Sequence, residues 1–239
     1  MSETLRKKIK DCIPFDCSNQ CSLSSYIVSH KSHVNKVLDL GCGNGNSLDM
    51  FMSINSHVDW FGLDIESSPE VASRTRTDCS FYSYDGVNIP FESNCFDMVY
   101  CRQVLEHVVY PNKLLLDVYR VLRPGGVFIG SVSQLEPYHS YSTFNYTPYG
   151  LEIMIRESGM ILKEVRPGID GITLLIRRLS KGRLFNKYFE KESPLNRLIT
   201  LLGIITRKDH FYINSYKLLF AGHLIFLAYK DIYTLRKEG

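Results

Sequence analysis

Residues 36–52 read KVLDLGCGNGNSLDMFM, and the prediction of the fold depends on this stretch. The apolar run 36–40 is typical of a buried strand, whereas Leu48, Phe51 and Met52 recur with the spacing of one helical face. Three glycines separate the two patterns. Such a loop lets the backbone approach a ligand closely, and the following helix N-terminus offers unpaired amides. The stretch therefore predicts a ligand-binding strand, loop and helix.

The glycines of this loop are Gly41, Gly43 and Gly45, spaced G-x-G-x-G. A dinucleotide-binding fingerprint requires a further glycine at position 46, where this chain has Asn46. The spacing therefore disfavours an NAD-binding site.

Strand and helix patterns alternate along most of the remaining chain. Short β-branched or aromatic runs that alternate with helical patterns predict an α/β fold with a mainly parallel sheet. The predicted strands cover residues 36–40, 58–64, 80–84, 96–101, 127–132, 160–165 and 217–229.

Two carboxylates follow neighbouring predicted strands. Asp64 ends the second strand, and Asp85 follows the third. Parallel strands bring their carboxyl ends to one edge of the sheet, which is where open α/β sheets bind ligands. There Asp64 can accept hydrogen bonds from ribose hydroxyls, and Asp85 can accept one from an adenine amine.

Five segments occur in an order that resembles the class I S-adenosylmethionine-dependent methyltransferases (methyltransferase type 11/12), with some likeness to quinone O-methyltransferases. The segments are VLDLGCGNG, GLDIE, YDGVNIPF, FDMVYCRQVLEHV and RVLRPGGVF. The resemblance extends over residues 35–166 and the last strand. It implies a Rossmann-like, seven-stranded sheet of order 3-2-1-4-5-7-6, with strand 7 antiparallel and helices on both faces.

The resemblance also implies that S-adenosylmethionine is the cofactor and that its methionine part lies at the glycine loop. Gly41, Gly43 and Gly45 would border that part, and Asp39 would hold its ammonium group.

The same resemblance assigns the remaining cofactor contacts to the ends of strands two, three and four. Asp64 would bind the ribose and Ile65 would pack on the adenine. Asp85 and the backbone of Gly86 would contact the adenine amine. Beside the sulfonium end we expect Arg102 or Gln103.

Methyl transfer is an in-line displacement, so an enzyme mainly aligns donor and acceptor, and a hydroxyl acceptor also needs a group that takes its proton. Histidine suits this role near neutral pH. We predict His139, in the loop after strand five, with His107 as the alternative. The same loop supplies aromatic side chains that would line the acceptor site: Tyr138, Tyr141, Phe144 and Tyr146. The alternative for these rings is that they only cover the sheet.

Glu106 and His107 form a pair that, in quinone O-methyltransferases, belongs to a cluster that can hold a divalent metal. Gln103 stands where a further carboxylate would strengthen such a site, because hard cations prefer charged oxygen ligands. We therefore expect no metal site here.

Composition leaves the partner open. The 239 residues are 44% hydrophobic and carry a formal net charge of +3, which is too small to drive nonspecific binding to nucleic acid. No sequence-specific nucleic acid is expected, and the oligomeric state is not predicted. A small-molecule hydroxyl on a sugar, a glycan precursor or a quinone-like ring is the expected acceptor. The alternatives are a methyltransferase acting on RNA or protein and a noncatalytic protein that binds the cofactor.

Seven cysteines, an odd number, all lie within the first 101 residues, and the N-terminus has no apolar signal region. These features predict a reduced, cytoplasmic protein. The longest apolar run, 218–229, is too short to span a membrane.

The chain is predicted to divide into three parts. Residues 1–34 form an N-terminal helical segment, residues 35–168 and 214–232 form the cofactor-binding core, and residues 169–213 form a basic helical insertion between strands six and seven. The insertion has two helical apolar patterns among many lysines and arginines. For residues 172–208 we consider a lid, a dimer contact, a solvated face, or peripheral contact with the inner face of a membrane.

Overall fold

The computed structural model describes residues 3–136 and 140–232 and contains one seven-stranded sheet. The strand order is β3-β2-β1-β4-β5-β7-β6, and β7 runs antiparallel to both of its neighbours. The strands are β1 (Lys36–Leu40), β2 (Asp59–Ile65), β3 (Ser80–Tyr84), β4 (Phe96–Arg102), β5 (Leu122–Ser133), β6 (Ile161–Pro167) and β7 (His223–Tyr229). The predicted fold class, strand order and direction of strand seven are confirmed.

Helices connect the strands and cover both faces of the sheet. Those in the described residues are α1 (Glu3–Lys8), α2 (Leu23–His30), α3 (Ser47–Ile54), α4 (Pro69–Ala72), α5 (Pro111–Val121), α6 (Pro148–Glu157), α7 (Gly171–Leu179), α8 (Pro194–Ile205) and α9 (His210–Phe220). Two of them, α4 and α6, begin at a proline preceded by a capping side chain; before α6 the Thr147 hydroxyl accepts a hydrogen bond from the Gly150 amide at 3.0 Å.

Alternate residues of most strands enter two separate apolar cores. On one face, Val99 of β4 packs in a cluster with side chains of α5 and α6. On the other face, Met98 and Tyr100 pack with side chains of α2 and α3. The sheet is therefore covered on both sides, and its carboxyl edge remains available for a site.

The predicted start of the seventh strand is wrong. Residues 217–220 form the last turns of α9, and β7 begins at His223. The Lys217 side chain is fully buried and donates to the Ser18 carbonyl at 2.5 Å. A short apolar run does not distinguish a buried strand from a buried helix, and here contacts with the N-terminal segment favour the helix.

Two further features bear on the setting of the protein. Within residues 3–136 and 140–232, no helix has the length and apolar character needed to cross a bilayer. All seven cysteines are free thiols.

Candidate active site

The glycine loop between β1 and α3 adopts a backbone that other residues rarely take. Gly41, Gly43 and Gly45 have φ of +74°, +50° and +78°. A Cβ on Gly41 would lie 2.2 Å from Cγ2 of Val104, so the loop also packs too closely against the end of β4 for a larger residue. Glycine is needed both for the conformation and for the space.

Two arginines that the sequence analysis missed hold the outer side of this loop. Arg74 donates to the Gly43 carbonyl at 2.8 Å, and Arg76 donates to the Gly45 carbonyl at 2.9 Å. The Arg74 guanidinium also lies 3.7 Å from the centre of the Phe81 ring. Both residues precede β3, whereas the sequence analysis considered residues at the carboxyl ends of strands. The pattern RTR, in which two arginines alternate with a threonine, is the feature of the sequence that could have indicated them.

A cavity of about 660 Å³, here called the first cavity, lies above the glycine loop at the carboxyl edge of the sheet. Its volume falls in the range of small-molecule and cofactor sites. Sequence-predicted residues that line it are Gly41, Gly43, Asp64, Ile65, Asp85, Gly86, Arg102, Gln103, His107 and Tyr141. Residues that were not predicted include Ser68, Pro69, Glu70, Tyr84, Val87, Val104, Val108, Val109, Tyr110 and Ser140.

Asp39 and Gly45, two other predicted cofactor residues, lie outside this lining. The Asp39 carboxylate is buried and accepts a hydrogen bond from the Ser47 hydroxyl, which in turn accepts one from the Trp60 indole at 3.0 Å. Burial raises the pKa of Asp39 to about 7, and the nearby charge of Asp64 adds to this effect. Asp39 is therefore a carboxyl group poised to change its charge near neutral pH.

The carboxylates of Asp64 and Asp85 accept hydrogen bonds from different groups of the protein. Asp64 accepts hydrogen bonds from the backbone amides of Gly43 at 2.7 Å and Ile65 at 2.8 Å. Asp85 closes a turn by accepting from the backbone amides of residues 87 and 88 and from the Asn88 carboxamide. The hydrogen bonds from Asn88 lower the pKa of Asp85, so this carboxylate stays ionised in the cavity wall.

The aromatic residues predicted to line the acceptor site are separated in the structure. Tyr141 lines the first cavity and is 78% exposed. Tyr146 is buried, and its hydroxyl donates to the Leu105 carbonyl at 2.8 Å, so it supports the segment that follows β4. The Phe144 ring lies next to Tyr146 and outside the cavity lining. Tyr138 and His139 fall outside the described residues.

A second cavity of about 270 Å³ adjoins the first and shares Arg102 and Gln103 with it. The sequence gave no indication of this cavity, because its walls come from distant parts of the chain. Its other lining residues are Leu23, Ser24, Met50, Tyr100, Ser131, Glu136, Arg177, Arg178, Phe189, Glu190, His223 and Ile225.

One wall of the second cavity is a buried polar cluster. Nε2 of His223 lies 2.7 Å from Oε2 of Glu136, and Glu136 also pairs with Arg178. The Ser133 hydroxyl lies 3.0 Å from carboxylate oxygens of both Glu136 and Glu106. Residues 136 and 223 are far apart in the sequence, so no local motif predicts that they form a pair.

Glu106 and His107 lie in different surroundings. Burial raises the pKa of Glu106 to about 7, and its Oε2 atom is buried without a hydrogen-bond partner. His107 lines the first cavity, in a 3-10 turn (Leu105–His107) rather than at the start of the next helix, which begins at Pro111. Among the residues that the structure describes, no group of three or more His, Cys, Asp and Glu side chains is arranged to hold a metal.

Gln103 joins the two cavities and has an uncommon backbone conformation. Its φ of +55° is in the left-handed region, which costs free energy in residues other than glycine. Its amide donates to the Ser131 carbonyl at 3.0 Å, and its carboxamide lies 3.0 Å from the hydroxyls of Ser131 and Ser133. The strained backbone is thus fixed by contacts to β5.

Residues 38–130 match a protein family described as a methyltransferase domain. A demethylmenaquinone methyltransferase of Paenarthrobacter aurescens is 37% identical over 92 residues, which are 38% of this chain and 36% of that protein. A cycloartenol-C-24-methyltransferase of Arabidopsis thaliana is 26% identical over 200 residues, or 80% of this chain and 56% of that protein. The chain thus covers only part of the length of these relatives.

A solved structure with a similar fold is the 1,6-didemethyltoxoflavin-N1-methyltransferase of Burkholderia thailandensis, with bound 1,6-didemethyltoxoflavin and S-adenosylhomocysteine. The TM-score is 0.55 at 17% sequence identity, and the match covers 87% of this chain and 76% of that one. At this identity the likeness concerns the fold.

Proposed function

The chain contains a class I methyltransferase domain, and from that premise we propose that it transfers a methyl group from S-adenosylmethionine to a hydroxyl group of a small molecule. The acceptor is a sugar, a glycan precursor or a quinone-like ring. The observation that carries this proposal is the pair of adjoining cavities at the carboxyl edge of the sheet, which share Arg102 and Gln103.

The residues of the first cavity fit the cofactor. Glycine at position 41 leaves the space that a Cβ would fill, and the 2.2 Å approach to Val104 shows how little tolerance the loop has. Asp64 presents a carboxylate to ribose hydroxyls, and Ile65 presents an apolar surface to the adenine. Asp39 lies outside the lining, and the resemblance assigns it to the ammonium group. S-adenosylmethionine, when bound, supplies an electrophilic methyl group on a positively charged sulfur.

We assign the acceptor to the second cavity. The resemblance puts Arg102 or Gln103 beside the sulfonium end of the cofactor, and these two residues line both cavities. We therefore place the acceptor hydroxyl where the two cavities meet, next to Arg102 and Gln103. In-line transfer requires the acceptor oxygen to reach the methyl carbon directly, along the axis of the bond that breaks.

The lining of the second cavity suits a polar acceptor. Serine hydroxyls and a carboxamide offer hydrogen bonds, and the Phe189 and Tyr100 rings offer surfaces against which a sugar or a hydroxylated ring can pack. Arginines at positions 102, 177 and 178 favour an acceptor that carries negative charge or many oxygen atoms.

Within this cavity His223 is our candidate for the group that takes the acceptor's proton. Glu136 lies 2.7 Å from its Nε2 atom, which fixes the ring and stabilises the charge that the ring gains. The proton would then be taken at Nδ1. His139 and His107 remain predictions from the sequence.

Cofactor binding is tested by calorimetry of the intact chain with S-adenosylhomocysteine. We expect binding, and we expect an Asp64→Ala variant to bind at least about tenfold more weakly, because a charge-assisted hydrogen bond contributes about 1.5 to 3 kcal/mol. Asp59→Ala is the matched control, since Asp59 is exposed at the opposite end of β2. Failure of the intact chain to bind, or full binding by Asp64→Ala, would refute the assignment.

The acceptor is tested with isotope-labelled S-adenosylmethionine and extracts separated into small molecules, RNA and protein. Label in a small molecule that gains one methyl group supports the proposal, whereas label confined to RNA or protein contradicts it. Once the acceptor is known, His223→Gln should lower kcat more than it changes KM and should alter the pH profile. His139→Gln and His107→Gln, measured in parallel, compare the three histidines.

A further inference from the structure

Helix α7 presents four of its five large apolar residues to solvent and buries only Leu174. Ile172, Leu175, Ile176 and Leu179 share one helical face, and their exposed fractions run from 41% to 76%. Thr173, a polar residue, is buried instead, and its hydroxyl donates to Asp170 at 2.8 Å. The sequence predicts an apolar stripe on this helix correctly, but the stripe does not enter the core.

Helix α8 shows the same inversion more strongly. Its large apolar residues Leu198, Leu201, Leu202, Ile204 and Ile205 are each at least half exposed. The residues that it buries are Asn196 and Gly203.

Fixed contacts hold α8 in this orientation. The Asn196 carboxamide donates to the Gly168 carbonyl at 2.9 Å and to the Gln20 side chain at 2.8 Å. Gly203 packs so closely on Ile213 of α9 that a Cβ would lie 2.5 Å from its Cγ1 atom. Rotating α8 to bury its leucines would break both contacts, so the outward leucines are a stable feature of this structure.

The nine exposed side chains of α7 and α8 (Ile172, Leu175, Ile176, Leu179, Leu198, Leu201, Leu202, Ile204 and Ile205) are called here the apolar face. Two further residues extend the exposed apolar surface near the start of α7. Leu135 is 49% exposed and Phe220 is 42% exposed, and the Leu135 side chain and the Phe220 carbonyl lie beside Gly171. Scattered single apolar residues are ordinary on a surface, but this many on two helices mark an interaction site.

Positive charge is concentrated in the segment of the chain that contains α7 and α8. Residues 171–208 contain nine Lys and Arg against two Glu, a formal charge of +7, and the whole chain carries +3, which leaves −4 for all other residues. Eight of the nine cations are exposed: Arg178, Lys181, Arg183, Lys187, Lys191, Arg197, Arg207 and Lys208. Arg197 lines a shallow groove together with Leu201 and Ile204, so charge and apolar surface are direct neighbours there.

We propose that the apolar face docks on the surface of an anionic lipid bilayer, with the cations of this segment against the lipid phosphates. Apolar side chains enter the boundary between headgroups and acyl chains, while lysines and arginines meet the anionic headgroups. A symmetric dimer through the same face fits less well. Such an interface brings each patch against its own copy, so the cations of the two copies would repel.

Docking of this kind has a consequence for the second cavity. Arg177 and Arg178 belong to α7 and line that cavity, while the outward stripe of the same helix would meet the bilayer. The cavity would then lie about one helix diameter, roughly 10 Å, from the membrane surface. An acceptor anchored in lipid would reach it without leaving the bilayer.

The test is co-sedimentation of the full chain with vesicles of phosphatidylcholine and phosphatidylglycerol, compared with vesicles of phosphatidylcholine alone. We expect binding to the anionic vesicles that weakens with added salt. A charge variant, Arg197→Gln/Arg207→Gln/Lys208→Gln, should bind about a hundredfold more weakly, from about 1 kcal/mol per cation. Arg177 and Arg178 are left unchanged because they line the second cavity.

The apolar contribution is tested with Leu198→Gln/Leu202→Gln/Ile205→Gln, which should lose at least about tenfold in vesicle binding. Leu116→Gln on α5 is the matched control, since Leu116 is 54% exposed and lies outside the apolar face. Circular dichroism and calorimetry with S-adenosylhomocysteine check that each variant folds and keeps its cofactor site. Because the vesicle assay needs no cofactor, its failure and a failure of the proposed methyl transfer are distinguishable.

Three results would overturn the proposal. They are absence of binding to anionic vesicles by the unmodified chain, equal binding by the apolar variant, and a dimer in sedimentation velocity that the apolar variant converts to monomer without any vesicle binding. The last result would assign the apolar face to a second copy of the chain.

Discussion

Replacing Asp39 by asparagine should stabilise the protein above pH 7. The carboxyl group is buried, and its burial raises the pKa of Asp39 from the ordinary 3.8 to about 7. Between these two pH values the folded protein keeps a proton that the unfolded chain has released. The contribution of this group to stability is therefore fully present below about pH 4 and is lost as the pH rises to 7.

The size of the effect follows from the shift. A pKa shift of about three units means that ionising Asp39 lowers the free energy of unfolding by about 4 kcal/mol at pH 8. At pH 5 the carboxyl is still mostly protonated in the folded protein, and the loss is only about 1.5 kcal/mol. Asparagine has nearly the same shape and no charge. The stability difference between Asp39→Asn and the unmodified protein should thus grow by about 2 to 3 kcal/mol from pH 5 to pH 8. Burial also raises the pKa of Glu106 to about 7, but Glu106 is present in both proteins and cancels.

Urea unfolding at pH 5 and pH 8 measures this difference. With an ordinary denaturant dependence, the midpoint difference should widen by roughly 1 M between the two pH values. Asp59→Asn, at the exposed start of β2, is the control and should show no such change. The reasoning is refuted if the midpoint difference for Asp39→Asn is the same at both pH values.

The same variant should lose ligand affinity while it gains stability. If Asp39 holds the ammonium group of S-adenosylhomocysteine, removal of its charge should weaken binding by about ten- to a hundredfold in calorimetry at pH 8. The unmodified protein should bind more tightly as the pH rises through 7, because only the ionised carboxyl attracts the ammonium. Unchanged affinity of the variant would mean that Asp39 does not contact that group.

Two further pairs of substitutions test the site and its support. Gly41→Ala should destabilise the protein by about 1 to 3 kcal/mol in urea unfolding, because φ is +74° and the new Cβ meets Val104; adding Val104→Ala should recover part of the loss, and no recovery would contradict the packing argument. Glu192→Gln should cost about 3 kcal/mol, since it removes the carboxylate that pairs with the buried Lys217 ammonium. Lys217→Met should cost less than Glu192→Gln in the same measurement, and the reverse order would refute this account.

Most of the cofactor residues predicted from the sequence line the first cavity, because the prediction relied on strand ends and those ends meet at one edge of the sheet. Gly41, Asp64 and Asp85 each follow an apolar run, and a parallel sheet brings the ends of such runs to one edge. A local pattern that predicts where a strand ends therefore also predicts which residues lie at the site. The strand pattern does not predict the contacts of Arg74 and Arg76 with the glycine loop, because these contacts depend on the path of the chain between α4 and β3.

Contacts between distant segments explain what the sequence does not predict. The pair of Glu136 and His223 forms because β5 and β7 are neighbours in the sheet. The apolar run 217–220 is equally compatible with a strand and a helix, and contacts of Lys217 with Ser18 and Glu192 favour the helix. In each case the structure depends on a contact with a residue far away in the sequence, and a local pattern does not predict such a contact.

Helix α8 shows most clearly where periodicity stops being informative. Leu195, Leu198 and Leu202 repeat at helical spacing, and this repeat specifies a stripe but not what the stripe meets. The direction is decided by the less conspicuous residues Asn196 and Gly203, one by hydrogen bonds to the core and the other by the absence of a side chain. An apolar stripe opposite such anchored polar and small residues is built to meet something outside the chain. The cations beside it favour an anionic surface, and the second cavity, which α7 lines, gives that surface a reason to be near the proposed site of methyl transfer.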